Sequence, residues 1–109
     1  MKNYLLAAAG IVFAAAASSN AFAADEDPAA GLRSIARHLS HVHLSDCPAG
    51  GWRHDPVGRG GIDFRAVRAA LEALEFAQPV LLEIIAPAPL QDTLASKASL
   101  ESLGWSFRT

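Results

Sequence analysis

The spacing of apolar positions changes several times along the chain, and each change marks an element. From Tyr4 to Ala17, apolar and small residues run on for about 14 positions without a clear period. Leu32, Ile35, Ala36 and Leu39 then recur at helical spacing. They follow Asp27-Pro28, where Asp suits an N-cap and Pro suits a first helical position whose N–H needs no partner. This predicts a helix from about Pro28 to His38. From Ser40 the period drops to two: Val42 and Leu44 fall on one face, His41, His43 and Ser45 on the other, as in a strand. Cys47 to Gly61 reads as a loop, with two Pro and five Gly in fifteen residues. A second helix is predicted from Phe64 to about Glu75, capped by Asp63. Its apolar stripe is Phe64, Val67, Leu71 and Leu74, opposite Arg65, Arg68, Glu72 and Glu75. Pro79 to Ile85 is apolar except for Glu83, the pattern of a strand covered on both faces. After Ala86-Pro87-Ala88-Pro89, Leu90 to Leu103 reads as a third helix ending near Gly104. Helix, strand, helix, strand, helix is the order of an α/β fold with parallel strands and right-handed crossovers.

Composition changes the reading of the first segment. Lys2, the apolar run, Ser18-Ser19-Asn20 and then Ala21-Phe22-Ala23 have the layout of a cleavable export signal. The run is short for a membrane span of roughly 20 residues. The expected organisation is a signal helix over 1–23 and one domain over 24–109, secreted or periplasmic, with no membrane anchor after cleavage. Removing the first 23 of 109 residues leaves 86 and takes Lys2 away, moving the net charge from −2 to −3. A mildly acidic domain of this size argues against two domains and against a nucleic-acid partner, for which a basic footprint is needed. Cys47 is the single cysteine, so no internal disulfide forms. Its thiol can be buried, oxidised, paired between chains or bound to a metal.

Glu83 is the most informative residue, because burying an isolated carboxylate is expensive. It is neutralised, paired with a cation, or placed at a strand end facing a polar space or water. By alternation it shares a face with Leu81 and Pro79. Val42 and Leu44 of the first strand should pack on helices, which turns His41 and His43 toward the side that Glu83 faces. Imidazole and carboxylate converging at the C-terminal ends of parallel strands make a candidate divalent-cation site, and a direct His–Glu hydrogen bond is the alternative. His38 falls at a helix end, where an imidazolium can satisfy last-turn carbonyls. Arg53, His54 and Asp55 lie in the loop beside the strand ends.

Three blocks together resemble a known family: His41-Val42-His43-Leu44-Ser45-Asp46, Gly58-Arg59-Gly60-Gly61-Ile62-Asp63-Phe64, and Pro79-Val80-Leu81-Leu82-Glu83. Their order and spacing, over roughly Asp27 to Phe107, are similar to the C-terminal part of the xylose isomerase-like TIM barrels. That sugar phosphate isomerase/epimerase group includes apurinic endonucleases, ketose 3-epimerases and hydroxypyruvate isomerases. The resemblance implies a partial (β/α)8 barrel: the last two strands with three helices. It also implies a divalent metal (manganese, magnesium or zinc) held by His43 and Glu83, with Glu83 acting as acid/base at a substrate carbon. Arg53-His54-Asp55-Pro56 looks like the Arg-His-Glu-Pro of hydroxypyruvate isomerases, which makes Arg53 and His54 the implied contacts to a sugar or hydroxy-carbonyl substrate.

The chain departs from that pattern in several places. Trp52 stands where the endonucleases carry Asp, which speaks against a three-metal DNA-repair site. Glu75 replaces a helix-ending Gly, and Gln78-Pro79 replaces a Gly-Pro; both changes remove easy backbone geometry. A full barrel needs about 250 residues and eight strands. The expectation is therefore a truncated isomerase/epimerase-like domain with half a metal site and little or no turnover, unless completed by self-association. The alternative is a small exported metal-binding or interaction protein using His41, His43, Asp46, Cys47 and His54.

Overall fold

The computed structural model describes residues 5–9, 11–14, 27–48, 51 and 53–108. Strands β1 (Leu5–Ala9) and β2 (Ile11–Ala14) precede α1 (Pro28–Ser34) and a 3₁₀ turn over Ala36–His38. Then come β3 (Leu39–Leu44), α2 (Phe64–Ala73), β4 (Val80–Leu82) and α3 (Pro89–Ser102). The sheet order is β2-β1-β3-β4. β1, β3 and β4 run parallel, and β2 is antiparallel at one edge. β3 pairs with β4 in the register Val42↔Val80, His43↔Leu81 and Leu44↔Leu82.

The first segment corrects the expected signal helix: Leu5–Ala9 and Ile11–Ala14 are strands. An aperiodic apolar run suits either state, and two facts favour extension. Ile11-Val12-Phe13 are strand formers, and β3 presents an edge whose backbone groups need partners, which β1 supplies. The expected boundary after Ala23 lies outside the described residues, as does Trp52. No described helix is long and apolar enough to cross a membrane.

Both predicted caps form. The Asp27 carboxylate accepts from Ala29 N–H at 2.9 Å, and Asp63 accepts from Arg65 and Ala66 N–H at 3.0 Å each. The first helix stops at Ser34, short of His38. Ile35 leaves helical geometry (φ −107°, ψ 9°), and the chain tightens into the 3₁₀ turn to enter β3. His38 ends that turn, exposed.

α2 closes by two backbone bonds, Glu75 N–H to Glu72 O and Phe76 N–H to Leu71 O, both 3.0 Å. This is a Schellman motif, and it places Glu75 at φ +52°, in the left-handed region. The core lies between the sheet and the helices: Ala29 and Leu32 from α1, Val42 and Leu44 from β3, Phe64, Val67, Ala70 and Leu71 from α2, and Leu100 from α3. α3 is turned the other way from a usual amphipathic helix. Its buried positions are Asp92, Ser96 and Leu100, whereas Leu90 and Leu94 are exposed. The expected cover on both faces of β4 is not found either, since Leu81 is 51% exposed. The helices take only the face opposite Leu81 and Glu83.

Candidate functional site

Alternation in β3 sends Val42 and Leu44 into the core and leaves His43 half-buried on the opposite face. β4 repeats the pattern one strand over, and the backbone pairing continues past its end, with Glu83 N–H donating to Leu44 O at 2.9 Å. His43 and Glu83 therefore come from adjacent parallel strands at their C-terminal ends. They meet: His43 Nδ1–H donates to Glu83 Oε2 at 2.9 Å. A carboxylate only accepts, so the proton of this contact sits on Nδ1.

The loop after β3 brings a second imidazole to the same carboxylate. His54 Nδ1 lies 3.9 Å from Glu83 Oε2 and 3.1 Å from the hydroxyl of the buried Ser45. The His54 backbone is tied down as well, its carbonyl accepting from Ile85 N–H at 2.9 Å. Of the residues singled out by sequence, the structure thus gathers His43, His54 and Glu83. Arg53 is not in that group. Its guanidinium pairs with Asp55, Nε and Nη2 lying 2.9 and 2.8 Å from Oδ2, and its side chain is largely exposed.

Sequence reasoning missed what Asp46 does. Asp46 is 1% exposed. Its Oδ1 accepts from the N–H groups of Cys47 (2.9 Å) and Ile62 (3.2 Å), and its Oδ2 from that of Gly58 (2.9 Å). The signal was available: a carboxylate directly after a strand and before a Gly-rich loop faces many backbone donors without partners. The five-residue ligand cluster is not assembled, because Asp46 spends both oxygens on backbone and the exposed His41 lies against Ser40 Oγ at 3.1 Å. Burial raises the Cys47 thiol pKa, with Asp46 and Asp55 adding to the effect and Arg53 opposing it.

The donor types of His43 and Glu83 suit manganese, magnesium or zinc. Their number does not. Among the described residues no three His, Cys, Asp or Glu are grouped to hold an ion, and the His43 and Glu83 groups that meet are bonded to each other. The described residues by themselves do not fit a metal centre, so no chemistry is derived through one. Two hollows of about 260 and 470 Å³ lie at the other end of β4, both bordered by Val80 and Trp105, and neither includes His43, His54 or Glu83. At the site itself the Glu83 side chain is 37% and that of His43 26% exposed.

No curated protein and no solved structure matches the chain. A family model does: that of the xylose isomerase-like TIM barrel matches residues 10–105. The match runs through α1, β3, α2, β4 and α3, and the polar cluster sits where such barrels do their chemistry, at the C-terminal ends of parallel strands. With nearly all of its length covered, the chain belongs to the xylose isomerase-like TIM barrel family.

Proposed function

We propose that this chain is a sugar isomerase/epimerase-like domain in which Glu83 is the acid–base residue, His43 its orienting partner, and His54 a contact to a sugar or hydroxy-carbonyl substrate. The observation that carries this is the 2.9 Å contact between His43 Nδ1 and Glu83 Oε2 across adjacent strand ends. In isomerisation, a carboxylate removes the proton from the carbon beside a carbonyl. The C–H electron pair moves into an enediolate, the hydroxyl proton passes from one of its oxygens to the other, and the resulting carboxylic acid returns its proton to the neighbouring carbon. In epimerisation Glu83 keeps the proton it removed, and water supplies one to the opposite face of the same carbon. A well-placed group of this kind contributes about 10²–10⁴-fold. Turnover from these residues alone is slow, because the face is open to water and a divalent cation at His43 and Glu83 would have two protein ligands. We read residues 1–23 as an export signal, giving a secreted or periplasmic domain. Loss of those residues would free the β3 edge now paired with β1, which favours self-association.

The test is deuterium wash-in at the carbon next to the carbonyl of ketose and hydroxypyruvate probes, followed by NMR in D₂O with and without added manganese. The wild type exchanges faster than buffer, and Glu83→Gln returns the rate to background. Equal rates for the two proteins would remove Glu83 from the chemistry.

A further inference from the structure

We propose that Asp46 is the positioning residue of this site: an internal anion whose carboxylate shapes the following loop and thereby places His54 beside Glu83. The proposal rests on the reading of His54 as part of the site. The loop returns to the end of β3 by two backbone bonds, Asp46 N–H to Asp55 O at 2.8 Å and Asp55 N–H to Asp46 O at 2.9 Å. That short antiparallel bridge fixes the residue next to it, His54, whose carbonyl is then taken by Ile85 N–H and whose ring meets Ser45. The remainder of the loop is folded around the Asp46 side chain. Donors from Cys47, Gly58 and Ile62, spread over sixteen positions, converge on its two oxygens. Gly61 N–H closes on Cys47 O at 3.0 Å. Gly60 passes so close that a Cβ there would collide with Asp46 Oδ1 and the Cys47 carbonyl. A neutral amide at position 46 cannot accept from all three donors, since its NH₂ would confront one of them. A hydrogen bond to an ionised acceptor is also the stronger kind.

The experiment reads geometry rather than turnover, so its failure is separate from failure of the proposed chemistry. In the full chain, the His54 ring resonances and the amide exchange of Asp55 and Ile85 are followed by NMR in Asp46→Asn and in Gly60→Ala, which attacks the same contact from the other side. Leu100→Ala serves as a core variant that removes none of the hydrogen bonds on the Asp46 carboxylate. Displacing the carboxylate is expected to move the His54 ring signals and to speed exchange at Asp55 and Ile85 by about tenfold or more relative to Val67 in α2. Asp46→Gly is expected to recover the His54 signals on addition of formate, a carboxylate small enough for the vacated space, and not on addition of chloride. Should Asp46→Asn fail to fold, Gly60→Ala and the formate series decide alone. Unmoved His54 signals in the folded loop variants, or an equal displacement in Leu100→Ala, would overturn the assignment.

Discussion

Glu75 offers the sharpest energetic test, because the chain uses an acidic residue where the backbone asks for glycine. It occupies the first position beyond the α2 C-cap, Leu74, at φ +52°, held there by the Glu72 and Leu71 carbonyls. The left-handed conformation costs an L-residue with a Cβ about 1–2 kcal/mol, which Gly does not incur. Gly gives back about 0.4–1 kcal/mol through the greater freedom of the unfolded chain. The difference makes Glu75→Gly stabilising by about 0.5–1 kcal/mol, or roughly 2–8 °C in melting temperature for a domain of this size. A negative charge at a helix C-terminus is itself unfavourable by a few tenths of a kcal/mol, so Glu75→Ala isolates that part. It removes the charge and keeps the Cβ. Urea melts at one pH should give the order Gly above Asn, Asn above Ala, and Ala at or slightly above Glu. A Gly variant no more stable than the Ala variant would refute the backbone argument, whatever the sign of both.

Ser96 is fully buried and accepts from Val57 N–H at 2.9 Å while donating to Asp92 O at 2.7 Å. Ser96→Ala leaves that N–H without its partner and is expected to cost about 1–3 kcal/mol in urea denaturation; a loss below 0.5 kcal/mol, within the ordinary range for surface changes, would show that the bond is dispensable. Leu100→Ala is expected to cost about 2–5 kcal/mol by the same measurement, since Leu100 is the buried apolar anchor of α3. The raised Cys47 pKa means that the unfolded thiol ionises first, so stability from this group is full below the ordinary thiol pKa. It is lost as pH rises through the folded value. Denaturation from pH 7 to 10 should show that decline in the wild type and less of it in Cys47→Ala. Mass spectrometry of exported protein should find residues 1–23 removed, and an intact Met1 there would refute the signal.

What sequence revealed and what it hid divide along a physical line. Asp27 and Asp63 were legible because an N-cap is a local bond between a carboxylate and N–H groups two or three residues on. The shared face of His43 and Glu83 was legible because strand alternation and parallel pairing leave few other placements. The state of residues 5–9 and 11–14 was not, since a run with no period lacks the one local signal that separates helix from strand. The inside of α3 was hidden for a different reason. Asp92 and Ser96 look like solvent positions until Arg59 Nη2 arrives at 2.8 Å from Asp92 Oδ1 and Val57 N–H reaches Ser96. Those partners lie 33 and 39 positions away, and only the folded loop brings them in. Asp46 belongs with this group. Its residue type fitted a metal ligand equally well, and the donors that claim it are backbone groups, which no side-chain pattern records.

The same loop decides how much chemistry the face can support. A carboxylate pulls a proton from carbon efficiently only when the surrounding dipoles are fixed and water is kept away, because a solvated charge is screened and must reorganise as it reacts. Fixed dipoles are present: Nδ1–H of His43 on Glu83, Ser45 on His54, and Asp46 behind the loop. Exclusion of water is not, with the Glu83 side chain 37% and that of His43 26% exposed. Leu81, two positions before Glu83 on the same strand face, is half exposed, an apolar side chain pointing where a barrel interior would lie. Orientation without cover predicts a specific kinetic pattern. Whatever closes this face, another copy of the chain or additional strands, should raise the Glu83-dependent exchange rate, while the His43–Glu83 contact itself stays unchanged.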